Sequence, residues 1–152
     1  MKKIILMGAV GCGKTTLSQA LHGEALTYNK TQAVSYTPEI IDTPGEFILH
    51  RQYYSALSVT AADAEIIGLV QSVQELEQVF SPGFASMFSK EVIGIVSKED
   101  LADSKEQVQL IKKQLLSAGA TRIFISSAVD GRGLRELEDY LELNSQEERI
   151  EN

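Results

Sequence analysis

Gly8-Ala9-Val10-Gly11-Cys12-Gly13-Lys14-Thr15 has the spacing G-x-x-x-x-G-K-[ST]. The chemistry this spacing serves is the holding of phosphate. Glycines let the backbone fold tightly, and main-chain N–H groups and a helix N-terminus then face the anion. At these positions Lys14 reaches the β- and γ-oxygens of a polyphosphate, and the Thr15 hydroxyl ligates Mg²⁺. The motif requires a strand before it and a helix after it. Lys2–Met7 is a short apolar run of strand type, and Thr16–Leu21 supplies one or two helical turns before Gly23.

Three further segments extend the site. Ile40-Ile41-Asp42-Thr43-Pro44-Gly45 is an apolar run ending in D-x-x-G. Asp42 can hold Mg²⁺ through water, and the Gly45 N–H can meet a γ-phosphate, so the loop that follows can sense that group. Ser97-Lys98-Glu99-Asp100 is a variant of [NT]-K-x-D at the end of another apolar run. Asp100 can accept hydrogen bonds from guanine N1–H and its amino group, whereas adenine carries no proton on N1. The Lys98 stem can cover a flat base. Serine at the first position retains a hydroxyl but is expected to tie this loop to the first more loosely. Ser127 and Ala128 end the last apolar run, where backbone N–H groups can meet guanine O6.

The elements that position these residues alternate in type, the pattern of a parallel α/β sheet. Strands are predicted near Lys3–Met7, Val34–Ile41, Glu65–Val70, Val92–Val96 and Arg122–Ser126. Helices are predicted near Lys14–Leu21, Ile48–Val59, Ser104–Ala118 and Leu134–Leu143, with a short one near Pro82–Phe88. Val73–Phe80 reads equally as helix or loop. Val108, Ile111, Leu115 and Ala118 form an apolar stripe. Asp103 with Glu106 suggests a capping box, and Gly119 sits where a helix-ending glycine belongs. Leu134, Leu137 and Leu141 repeat the stripe. One domain over 1–143 is expected, with a polar, charged tail at 144–152.

With 152 residues, the chain can bury a substantial core. A formal net charge of -7 argues against nonspecific binding to nucleic acid or an anionic membrane. A phosphate site must therefore be local and built largely from backbone dipoles. The single cysteine allows no internal disulfide. The first strand begins at once, without a signal peptide, and no apolar run is long enough to span a bilayer. These features predict a soluble cytoplasmic protein. They leave its oligomeric state open.

The four segments, in this order, resemble a small Ras-like P-loop GTPase of the translation-factor class. A narrower resemblance covers nearly the whole chain. Asp42-Thr43-Pro44-Gly45-Glu46, Tyr53-Tyr54-Ser55-Ala56-Leu57, Thr60-Ala61-Ala62-Asp63-Ala64 and Ser81-Pro82-Gly83-Phe84 are similar to the EutP/PduV family. That resemblance implies a GTPase-like accessory of ethanolamine or propanediol utilisation in bacteria with protein-shelled microcompartments. A pathway or microcompartment protein would then be its partner. The interval before Asp42 is too short for a full switch and antiparallel edge strand. A truncated Ras-like domain is therefore expected, a three-layer P-loop NTPase fold with a mostly or wholly parallel five-stranded sheet and helices on both faces.

The candidate nucleotide contacts are Gly8, Gly11, Cys12, Gly13, Lys14, Thr15 and Thr16, then Ser97, Lys98 and Asp100, then Ser127 and Ala128. Thr15 and Asp42 are the candidate metal ligands. Lys14, Gly45, Glu46 and Thr31 are the candidate catalytic residues, with Thr27 and Thr37 competing with Thr31 for the switch position. Glu46 stands where many GTPases have glutamine. An ionised carboxylate cannot donate a hydrogen bond and is repelled by a triphosphate, so slow unaided hydrolysis of GTP is expected. Cys12 reads first as loop packing, Arg51 as a surface ion-pair residue and His50 as structural. Two other readings stay open. One is a GTP- or ATP-dependent kinase of a small carboxylate such as acetate, for which Arg51 and Lys30 are the only basic acceptor groups. The other is a scaffold that binds nucleotide without turnover.

Overall fold

A computed structural model of the protein describes residues 3–9, 11–21, 40–42, 54–127 and 131–141. The strands are β1 (Ile4–Met7), β2 (Ile40–Asp42), β3 (Ile66–Ser72), β4 (Glu91–Ser97) and β5 (Ile123–Ile125). The helices are α1 over 14–21, α2 (Tyr54–Ala61), α3 (Lys105–Ala118) and α4 over 134–141. Tight single turns cover Phe84–Met87 and Glu99–Leu101. The first of these is the short helix expected near Pro82–Phe88, in 3₁₀ form. The ambiguous Val73–Phe80 segment is irregular, a series of turns and bends.

The five strands form one sheet in the order β2-β1-β3-β4-β5. Each neighbouring pair is parallel. β3 and β4 are buried almost along their whole length, which explains their continuous apolar runs. Strand alternation sorts their side chains into two cores. Ile5, Met7, Ile67, Leu69, Val92 and Val96 pack with Leu57 of α2 and with Ile111, Leu115 and Ala118 of α3. Ile4, Leu6, Ile66, Val70, Ile93 and Ile95 pack with Leu17 and Leu21 of α1 and with Leu134, Leu137 and Leu141 of α4. Helices therefore cover both faces, in three layers.

Helix α3 carries one correction. Its N-cap is Ser104, whose hydroxyl accepts from Gln107 N at 3.2 Å, rather than the Asp103–Glu106 pair. Gln107 Oε1 in turn accepts from Asp103 N at 2.7 Å. Its amide nitrogen donates to Val73 O at 2.7 Å. A glutamate at that position could not make this last bond, because an ionised carboxylate has no donor. The same group thus closes the helix start and anchors the exit of β3. Gly119 ends the helix at φ 112, as expected.

Parallel pairing has one consequence for function. The chain leaves every strand at the same edge of the sheet, so segments far apart in sequence converge there. β1 lies between β2 and β3, so the chain reverses its direction of travel across the sheet there. Such a switch point leaves a crevice beyond the strand ends.

Candidate functional site

At the end of β1 the backbone of Gly8 passes over β3. A Cβ at Gly8 would stand 2.5 Å from Val70 O and 2.6 Å from Cys12 Sγ, so no larger residue fits. Gly11 and Gly13 adopt φ of 83 and 96, the left-handed region open to glycine. Cys12 N donates to Ala9 O at 3.2 Å, and Leu17 N donates to Gly13 O at 2.8 Å, which opens α1 at Gly13. First-turn amides of a helix point out of its N-terminus. Here they face a hollow of about 310 Å³ lined by Gly11, Gly13, Lys14, Thr15, Thr16 and Lys98. Lys14 is buried and arches back over its own loop. Its Nζ donates to Gly8 O at 2.8 Å and to Ala9 O at 3.3 Å. Cys12 is buried with its sulfur 3.9 Å from the same nitrogen, in keeping with loop packing.

A second hollow, of about 180 Å³, adjoins the first. Gly13, Thr16 and Lys98 line both. Leu17, Ser97, Asp100, Leu101 and Ser126 complete it. Here the expectation of a loose Ser97 tie is corrected. Ser97 is buried, and its hydroxyl donates to Cys12 O at 2.5 Å. Its carbonyl also accepts from Val73 N at 3.0 Å. The short side chain suffices because the parallel sheet brings the end of β4 directly against the glycine loop. Lys98 adds a second tie, Nζ to Gly11 O at 2.6 Å. It is the only non-glycine residue with positive φ among those described, at φ 58 and ψ 38. That conformation costs roughly 1–2 kcal/mol and is characteristic of functional turns. It lays the lysine stem beside Gly13, 3.5 Å from where a Cβ would be.

Asp100 follows in the next turn. Its Oδ1 accepts from Ser127 Oγ at 2.7 Å, so the β4 and β5 exits meet at this carboxylate. Two links between these exits could not be read from sequence. Glu99 N donates to Ser126 O at 3.1 Å. Arg132 Nη1 pairs with Glu99 Oε2 at 2.7 Å. The Gly-Arg-Gly run at 131–133 was the available sign, but its partner lies 33 positions away.

The backbone of Asp42 emerges at the sheet edge in register with Leu6, beside the glycine loop. Thr31, Gly45, Glu46 and Ala128 lie outside the described residues, as do Thr27, Lys30, Thr37, His50, Arg51 and the 144–152 tail. No group of three metal-binding side chains occurs among the described residues. Thr15 lines the larger hollow. No helix of the described residues is long and apolar enough to cross a membrane.

The family model described as ethanolamine utilisation - propanediol utilisation matches residues 1–143. The chain is 44% identical over 147 residues to the propanediol utilization protein PduV of Citrobacter freundii, covering 97% of this chain and 96% of that one. It is 37% identical over 152 residues to EutP of Escherichia coli (strain K12), described as a probable acetate kinase, covering 97% and 94%. Among solved structures, the G-domain of FeoB from Methanococcus jannaschii aligns with a TM-score of 0.58 at 18% identity, covering 93% of this chain and 96% of that one. Elongation factor SelB from Methanococcus maripaludis, in complex with the GTP analogue GPPNHP, aligns with a TM-score of 0.64 at 17% identity, covering 95% and 34%. The structural likeness shows a G-domain-like P-loop fold, and the family match over residues 1–143, with relatives of 37–44% identity along nearly the whole chain, shows that this chain belongs to the PduV–EutP family of ethanolamine and propanediol utilisation.

Proposed function

We propose that this chain binds Mg²⁺–GTP and hydrolyses it slowly, as an accessory of ethanolamine- or propanediol-type utilisation. One observation carries the reading. A hollow lined by the glycine loop and the start of α1 shares Gly13, Thr16 and Lys98 with a mainly apolar hollow lined by Asp100, whose carboxylate accepts from Ser127. The first hollow is the cradle that takes the phosphates, with Lys14 turning from neutral carbonyls to anionic oxygens. The second takes the base, with Leu17 and Leu101 contributing its apolar lining. Asp100 accepts from guanine N1–H and the amino group, and Ser127 holds that carboxylate in place. Mg²⁺, held by Thr15 and through water by Asp42, neutralises charge between the β- and γ-phosphates. Thr31, Gly45 and Glu46 are proposed to surround the γ-phosphate. The carboxylate of Glu46 is the reason for slow turnover.

Competition between GTP and ATP in the presence of Mg²⁺ tests this reading. Hydrogen bonds to a charged group justify a preference for GTP of about tenfold or more, lost in Asp100→Ala. A tenfold preference for ATP would overturn the role given to Asp100.

The description of EutP relatives as probable acetate kinases supports a second reading, phosphoryl transfer to a small carboxylate. The same cradle serves either acceptor, water or carboxylate. Phosphate release measured with and without acetate or propionate separates them. Formation of an acyl phosphate at the expense of free phosphate favours the kinase.

A further inference from the structure

This inference rests on the reading that a purine occupies the smaller hollow. We infer that Ser97 makes that site blind to the imidazole edge of the purine, so that N7 contributes nothing to recognition. Purine N7 is an acceptor only, and recognising it requires a donor. A serine hydroxyl has one proton. That of Ser97 goes to Cys12 O at 2.5 Å. The Ser126 hydroxyl, also lining the hollow, donates to Val96 O at 3.2 Å. The Ser127 hydroxyl donates to Asp100.

Four main-chain donors around the hollow, among the described residues, are likewise engaged. Glu99 N donates to Ser126 O, Leu101 N to Lys98 O, Ser126 N to Val96 O and Ser127 N to Arg132 O. Lys98 directs its ammonium to Gly11 O, and Thr16 lies on the side shared with the phosphate cradle. A longer amide at position 97 would carry two protons, one for the loop tie and one to spare. The serine has only one, and the loop tie takes it. Base selection therefore falls on the edge that faces Asp100. Ser97 acts as a positioning residue that fixes the glycine loop against β4.

The test is calorimetric titration of the full chain with Mg²⁺ and four ligands: GTP, 7-deaza-GTP, ATP and 7-deaza-ATP. Replacing N7 by C–H leaves the Asp100-facing edge unchanged. The expected result is that each 7-deaza nucleotide binds within about twofold of its parent, since a lost neutral hydrogen bond would cost about fivefold. A fivefold or larger penalty for 7-deaza-GTP overturns the inference. Ser97→Ala then closes a cycle. It is expected to weaken GTP and 7-deaza-GTP by the same factor, because it loosens the loop without touching the base. A loss confined to GTP would show direct contact with N7 and overturn the inference. The wild-type comparison stands even if the variant fails to fold. GTP affinity unaffected by Asp100→Ala would overturn the guanine assignment alone, because the N7 comparison needs only a purine in the hollow. No binding by any of the four nucleotides would overturn both.

Discussion

Gly131 and Gly133 offer a controlled comparison within one loop. Both have φ of 79, so alanine at either position incurs the same left-handed strain, roughly 1–2 kcal/mol. Their surroundings differ. A Cβ on Gly131 would meet nothing within 4 Å. A Cβ on Gly133 would stand 2.0 Å from Ile125 O, 2.9 Å from Ile125 C and 3.1 Å from Ser126 Cα. All three are backbone atoms at the end of β5, so no side-chain rotation can relieve the overlap. Forced repacking of this kind adds about 1–3 kcal/mol. For a chain of this length, each kcal/mol lowers Tm by about 2–4 °C. Gly133→Ala should therefore melt about 4–8 °C below Gly131→Ala, taking the middle of that range. Thermal unfolding followed by circular dichroism measures the difference. The two variants should also separate in nucleotide binding. A displaced Ser126 disturbs its bonds with Val96 O and Glu99 N, and so moves the Asp100 turn. Equal melting points, or a less stable Gly131→Ala, would refute the close-approach reasoning.

Other variants probe single links. Lys14→Ala should keep its Tm within about 3 °C, since among the described residues the lysine nitrogen bonds within its own loop, to the carbonyls of Gly8 and Ala9 and the sulfur of Cys12, yet lose at least about tenfold in triphosphate affinity. Normal turnover by that variant would assign the activity to another site. Ser104→Ala removes the cap of α3 and should cost about 1 kcal/mol in urea denaturation, while Ser104→Asp should retain most of it. The Glu99–Arg132 pair is 63% exposed at the arginine. Arg132→Gln should thus change stability by less than about 1 kcal/mol, with any effect fading as salt rises. A larger, salt-independent loss would mean that the pair does more than join two loops.

Much of this molecule follows from local sequence. The glycine loop between an apolar run and a helix was legible because its requirements lie within some twenty residues. The stripes on α3 and α4 were legible because helical period sets which face is apolar. Among the described residues, strand ends drifted by one or two residues: β3 runs on to Ser72, and β5 stops at Ile125. Their limits are set by pairing with neighbours, which a single strand does not reveal. The α3 cap moved by one residue because Gln107 also serves Val73, a residue of another element. What tertiary structure alone decided is how the motifs join. Ser97 and Cys12 are 85 positions apart, and Lys98 and Gly11 are 87. No spacing rule spans such distances. Parallel pairing carries every strand exit to one edge, and there a serine expected to tie only loosely bonds the glycine loop directly.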